Sequence, residues 1–289
     1  MKNILVTGSY GQLGNDLRNL SSHYPGFNMI FTDLPELDIT DRIACESHIR
    51  NHKIDFLINC AAYTAVDKAE SEPAPANKLN SEAPAMLAEL AVKHHFTLVH
   101  ISTDYVFNGL HFKPYTEQDI PDPASVYGKS KLEGEKAILQ SAANAIIIRT
   151  SWLYSAYGHN FVKTILRLAK EKAELNVVYD QVGTPTYAAD LAKCILDILK
   201  SNKIEGKHIY NYSNEGVCSW YDFACFIVES SGSDCKVFPI PSKEYPTPAP
   251  RPSYSVLNKS RIKQDFGIQI PWWQNSLSVC LQRIMKEQI

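Results

Sequence analysis

The sequence predicts an α/β protein, a doubly wound parallel sheet carrying a smaller second α/β lobe. Three observations carry that reading. Short apolar runs without polar alternation recur at 3–7, 29–31, 56–60, 98–101 and 145–148, the pattern of strands buried on both faces. Segments of helical length lie between them, at roughly 41–52, 74–95 and 125–141, and regular alternation of the two types argues for crossover units. A glycine-rich turn, Gly8-Ser-Tyr-Gly11-Gln-Leu-Gly14, follows directly on the first run.

Each element has a local reason. Residues 12–20 place Leu13, Leu17 and Leu20 on one helical face. Beyond residue 150 the organisation changes. Helical patterns near 160–171 and 187–200 precede a strand near 208–212 and a helix near 219–230. Six of the sixteen prolines then fall within 239–252. Proline fixes φ and removes a backbone donor, so an extended loop is expected there. A last helix is expected near 275–286. Residues 1–150 are thus read as a Rossmann-type NAD(P)-binding domain. Residues 151–289 are read mainly as a substrate-binding lobe, with some elements returning to the first sheet.

Composition excludes other classes. Against 29 Lys+Arg stand 31 Asp+Glu, which leaves no electrostatic footprint for nucleic acid. No stretch approaches the roughly 18 apolar residues of a membrane-spanning helix. The seven cysteines (45, 60, 194, 218, 225, 235 and 280) are scattered without a Cys-x-x-Cys pair. That argues against a disulfide framework or zinc site and for free thiols in a cytoplasmic protein. No coiled-coil pattern decides between monomer and homodimer.

The glycine turn has a physical rationale. Gly8 allows a tight turn, Gly11 lets backbone approach a pyrophosphate, and Gly14 permits close helix–strand packing. The helix end behind them offers unpaired N–H groups to phosphates. The next strand ends at Asp33, placed to accept from an adenosine ribose or, alternatively, to serve as an ordinary surface turn residue. A carboxylate there repels a 2′-phosphate and favours NADH over NADPH. Asp38 and Ile39 have a similar option against the adenine. Ala61 and Ala62, small residues after the third strand, leave room for the nicotinamide half.

Tyr127-Gly-Lys-Ser-Lys131 falls in an expected helix, so its tyrosine and last lysine share a face. A nearby ammonium lowers a phenol's pKa, which suits proton donation. The fourth strand ends Ser102-Thr103-Asp104, whose hydroxyls either meet a substrate carbonyl or cap the following turn. The other polar residues read as bland. Glu133 and Glu135 are expected on a solvated helix face, His94-His95 at a helix end in solvent, and Trp272-Trp273 in the core.

Together these motifs resemble the extended short-chain dehydrogenase/reductases and, more narrowly, the dTDP-4-dehydrorhamnose reductase family. The resemblance is carried by the glycine turn, Asn59-Cys-Ala-Ala-Tyr-Thr-Ala-Val-Asp67-Lys-Ala-Glu70, Ser102-Thr-Asp-Tyr-Val-Phe107 and Tyr127-Gly-Lys-Ser-Lys131. Arg149-Thr-Ser-Trp152-Leu-Tyr154, Asp180-Gln-Val-Gly183-Thr-Pro-Thr186, Pro248-Ala-Pro-Arg251-Pro252 and Ser255-Val-Leu257 continue it in the family's order.

The resemblance implies NAD(P)H-dependent reduction of the C4 ketone of a dTDP-linked 4-keto-6-deoxy sugar. Tyr127 would donate the proton, Lys131 would lower its pKa and bind ribose, and Thr103 would polarise the carbonyl. Gly11, Gln12 and Leu13 would contact the pyrophosphate. Asp33, Asp38, Ile39, Ala62, Tyr63 and Thr64 would line the cofactor, NADPH or NADH. Asp104, Trp152 and Arg251 would face the sugar nucleotide. Some family members bind Mg2+ at a dimer contact through acidic side chains, and here the resemblance offers Asp16 and Asp190 as the two candidate carboxylates, without naming a third. A reductase or epimerase of another nucleotide sugar, or a non-catalytic regulatory subunit of the same fold, are the alternatives.

Overall fold

The computed structural model describes residues 1–201 and 203–286. The first half runs β1 (Lys2–Thr7), α1 (Gln12–Leu20), β2 (Phe27–Thr32), α2 (Arg42–His52), β3 (Phe56–Asn59), α3 (Val66–Ser71), α4 (Pro73–Asn77), α5 (Ala83–His94), β4 (Thr97–Thr103), α6 (Val126–Gln140) and β5 (Ala145–Thr150). The second half runs β6 (Leu153–Tyr154), α7 (Phe161–Glu171), β7 (Glu174–Val178), β8 (Val182–Gly183), β9 (Thr186–Tyr187), α8 (Ala188–Lys200), β10 (Lys207–Tyr212), β11 (Cys218–Ser219), α9 (Trp220–Ser231), β12 (Lys236–Ile240), α10 (Ser260–Phe266) and α11 (Trp273–Lys286).

The central sheet is six-stranded in the order β10-β5-β4-β3-β1-β2, and every pairing is parallel. All residues of β3 and β5 are buried, as strands covered by helices on both faces require. One face packs against α1 and α8, with Leu17, Leu191 and Leu196 over Val6, Val99 and Ile148. The other packs against α2 and α5, with Ile49, Leu87 and Leu90 over Leu57, Leu98 and Ile147. Each such side chain contributes about 1.5–3 kcal/mol on full burial. β10 and α8 therefore bring the chain back into the first sheet after residue 150.

A separate core gathers Val162, Ile165, Phe223, Ile227, Leu277 and Leu281 from α7, α9 and α11, beside the parallel pair β7–β12. Caps set the helix starts. Asp41 accepts from Ile43 and Ala44 at α2, Ser125 from Gly128 at α6, and Ser219 forms a capping box with Asp222 at α9.

Several expectations change. The helix expected over 74–95 is interrupted by a π-helical turn at Lys78–Glu82, where the buried Asn80 makes its bonds. The proline-rich stretch begins as a strand, because Pro239 sits on an edge that pairs only with β7. Glu135 is not solvated but fully buried beside Arg149, whereas Glu133 is exposed and pairs with Lys136. His94 bonds Glu46 across to α2. Trp273 is core, but Trp272 stays half exposed. All seven cysteines are free, and no helix among the described residues is long and apolar enough to cross a membrane.

Candidate active site

A cleft of about 690 Å³ opens at the carboxyl ends of β1, β3, β4 and β5, the usual ligand position in open α/β sheets. Gly8, Gly11, Gln12, Leu13, Asp33, Asp38, Ile39, Ala62, Thr64, Thr103, Asp104, Tyr127, Lys131 and Trp152 all line it. The structure thus brings together residues that the sequence holds far apart.

The glycine turn forms the floor at one end. Gly8 has φ +65° and would place a Cβ only 2.6 Å from Ala61 N, so the turn leaves no room for a side chain there. Gly14 lies outside the cleft, and a Cβ there would meet Ser9 Cα at 2.5 Å. It serves helix–strand packing, as expected. Asp33 accepts from Tyr10 N at 2.8 Å and from Leu34 N at 2.9 Å, holding the turn against β2. Asp38 accepts from Thr40 N, and this bond keeps its carboxyl below the ordinary value. These residues fit a dinucleotide, since the cradle is bare backbone where a pyrophosphate would lie.

Tyr63 is displaced from the cleft lining. Its backbone N donates to Asn80 Oδ1 at 2.9 Å, and its carbonyl accepts from Asn80 Nδ2 at 3.0 Å. The π turn thereby pins the loop after β3. Asn80 also donates to Ser130 Oγ on α6, tying that loop to the helix of Tyr127.

Tyr127 is buried in the wall, and Tyr105 meets its ring edge-on with centroids 5.5 Å apart. Burial raises the phenol above its ordinary value, opposed by a hydrogen bond with Thr103. The lowering expected from Lys131 is absent because the amine turns elsewhere. Its Nζ donates to the Ile101 carbonyl at 2.6 Å and lies 3.2 Å from His100 Nε2. Burial brings Lys131 down to about 8. Thr103 both lines the cleft and caps the turn, accepting from Tyr105 N and donating to Asp104 Oδ1 at 3.0 Å. Burial pushes the Asp104 carboxyl up to about 6. Ser102 also lines the cleft, and its hydroxyl donates to the buried Glu135.

On the far wall Trp152 adopts φ +49° and stacks on Trp220, centroids 3.7 Å apart and planes 12° from parallel. Arg251 stands outside the lining. Its guanidinium pairs with Asp67 Oδ2 and reaches the Tyr105 hydroxyl at 3.3 Å, and the Tyr105 ring in turn meets Tyr127. Sequence reasoning passed over His100, Asn160 and Trp220. Asn160 caps α7 and donates to Gln12 Oε1 at 3.0 Å, clasping the second half of the chain onto the glycine turn. No local signal marks such a contact, which spans 148 positions.

The magnesium expectation finds no ligand set. Asp16 accepts from Ser155 Oγ at 2.6 Å and pairs with the Arg283 guanidinium. Asp190 accepts from Asn214 and Ser276. Among the described residues, no three His, Cys, Asp or Glu side chains converge to hold an ion.

The family model for the RmlD substrate binding domain matches residues 1–286. A dTDP-4-dehydrorhamnose reductase of Aggregatibacter actinomycetemcomitans is 41% identical over 286 residues, covering 96% of this chain and 97% of that protein. The chain belongs to the dTDP-4-dehydrorhamnose reductase family. It is therefore an NAD(P)H-dependent oxidoreductase. The crystal structure of a family member from Clostridium acetobutylicum superposes with a TM-score of 0.92 at 40% identity, covering 98% of this chain and 99% of that one. A Bacillus anthracis reductase crystallised in complex with NADP gives the same TM-score at 35% identity, with the same coverage. In the present chain the glycine cradle, Tyr127 and Lys131 line one cleft.

Proposed function

We propose that the chain reduces the C4 ketone of dTDP-4-dehydro-L-rhamnose to dTDP-L-rhamnose, with Tyr127 as proton donor and NADPH or NADH as reductant. The observation that carries this reading is the convergence of Thr103, Tyr127 and Lys131 on the cleft that also holds the bare glycine turn.

When bound, the nicotinamide supplies the hydride; the chain's own residues place the ketone and handle the proton. Tyr127 gives its hydroxyl proton to the carbonyl oxygen as that oxygen gains charge. Thr103, whose hydroxyl donates to Asp104, turns its O–H from that carboxyl to the same oxygen. Lys131, one helical turn beyond Tyr127, lines the same cleft and holds the nicotinamide ribose from its place on the Ile101 carbonyl. The low-exposure wall strengthens each of these interactions by keeping water out.

The sugar is held by the second lobe. Trp152 and Trp220 present a flat apolar wall suited to a deoxysugar face. Arg251 is a planar, permanently charged donor suited to a diphosphate, and the Asp67 carboxylate aims it. Asp33 favours NADH by charge, while the relative solved with NADP supports acceptance of NADPH as well.

The test is NAD(P)H oxidation by the purified chain across nucleotide-linked 4-keto-6-deoxy sugars. Preference for the dTDP-rhamnose precursor is expected, and no preference would refute the substrate assignment. Tyr127→Phe should lower kcat about a hundred- to ten-thousand-fold with cofactor affinity retained. Native turnover in that variant would refute the proton-donor role.

A further inference from the structure

Thr7 and Asn59, the last residues of β1 and β3, and His100 in the middle of β4 stand in one register row, and all three are buried. Their side chains join in series. Thr7 Oγ1 lies 2.8 Å from Asn59 Oδ1, Asn59 Nδ2 lies 3.2 Å from His100 Nδ1, and His100 Nε2 lies 3.2 Å from Lys131 Nζ. A buried polar row costs free energy unless every member is satisfied. This one ends on the amine that the proposed reaction uses.

We propose that His100 is a positioning residue for Lys131, an imidazole fixed from behind by Asn59 and Thr7 whose bare Nε2 accepts from the ammonium and holds it beneath the cleft. The role rests on the catalytic reading of Tyr127 and Lys131.

Proton counting makes the assignment sharp. An ammonium has three N–H groups and no lone pair. Facing one, Nε2 must be bare, so the single proton of the neutral ring sits on Nδ1. That N–H needs an acceptor, so Asn59 presents Oδ1 to it and Nδ2 to Thr7 Oγ1. Both amide orientations fit the same positions. The reverse chain runs from the Thr7 hydroxyl to Asn59 Oδ1 and from Asn59 Nδ2 to a bare Nδ1. It puts the ring proton on Nε2 and needs a lone pair on Lys131, so only the neutral amine permits it. Between the two states one proton leaves Nζ, and the row itself gains and loses none.

The surroundings fit this. Cys60 beyond β3 and Glu135 one turn along α6 are the titratable groups acting on Lys131, with Tyr127 one turn before it. Lys131 is the charged group acting on His100, which burial holds well below its ordinary value. Asp104 acts on Tyr127, and Asp33 on Cys60. The ring therefore stays neutral while Lys131, brought to about 8, changes charge.

The decisive measurement is the His100 tautomer in the NADP-bound protein, read from ring carbon and nitrogen shifts and assigned by its loss in His100→Gln. At about pH 6, where Lys131 is charged, the proton is expected on Nδ1; a proton on Nε2 there overturns the proposal. A second measurement is kcat against pH. His100→Leu removes the acceptor, so kcat should fall about tenfold or more and its alkaline limb should move to lower pH. His100→Gln, which keeps an acceptor oxygen, should bring the limb back towards native. An unmoved limb in His100→Leu overturns the role. A native chain that reduces no nucleotide-linked ketone overturns the catalytic reading instead, while the tautomer at about pH 6 still decides the His100–Lys131 contact.

Discussion

Arg149 grips Glu135 side-on within the protein: its Nε lies 3.0 and 3.2 Å from the two carboxylate oxygens and its Nη2 lies 2.6 Å from one of them. Both side chains are almost wholly shielded. Ser102 donates to the same carboxylate, and the guanidinium lies over the Phe107 ring at 5.0 Å. The pair therefore bolts α6 to β4 and β5 one step behind Thr103.

Removing one partner strands the other charge in the interior. Glu135→Ala should cost about 3–5 kcal/mol, measured by urea unfolding. A paired Glu135→Leu, Arg149→Met variant should recover most of that loss, because no charge is then left unpaired. A double variant as unstable as the single one would refute this account.

Asp104 makes stability depend on pH. Its carboxyl titrates near 6 in the fold against 3.8 ordinarily, so the folded state favours the protonated form. The associated stability is present below the ordinary value and is lost as pH rises through about 6, up to about 3 kcal/mol. Asp104→Asn should therefore gain in Tm over native as pH climbs from 4 to 7. A constant difference across that window would contradict the assignment.

Asp33 should set cofactor preference. Asp33→Asn keeps an acceptor for Tyr10 N but removes the charge that repels a 2′-phosphate. The ratio of kcat/KM for NADPH over NADH should rise about tenfold. An unchanged ratio would place the discriminating contact elsewhere in the turn.

Arg251 should act on sugar binding alone. Arg251→Ala is expected to raise KM for the nucleotide sugar about tenfold or more, with the cofactor KM steady. Asp67→Asn should raise it less, since it frees the guanidinium without deleting it. Equal effects on both substrates would argue for a folding defect instead.

Much of the site was legible in the residues themselves. Gly8 and Gly11 announce a backbone cradle, and the strands of all five early apolar runs end at the cleft. Glu135 is expected beside Glu133 on a solvated face, but residues two apart on a helix point nearly opposite ways, and the structure buries Glu135 while Glu133 stays exposed. His100 was passed over because one histidine in an apolar strand carries no spacing signal.

Neighbouring residues alone dictate the alternation of strand and helix, the glycine turn and the face shared by Tyr127 and Lys131. These follow from local sterics and periodicity. The return of β10 to the first sheet, the clasp of Asn160 on Gln12 and the meeting of Lys131 with His100 arise only in the packed chain. Such contacts depend on which distant surfaces bury together, and that free energy belongs to the packed chain rather than to any segment of it.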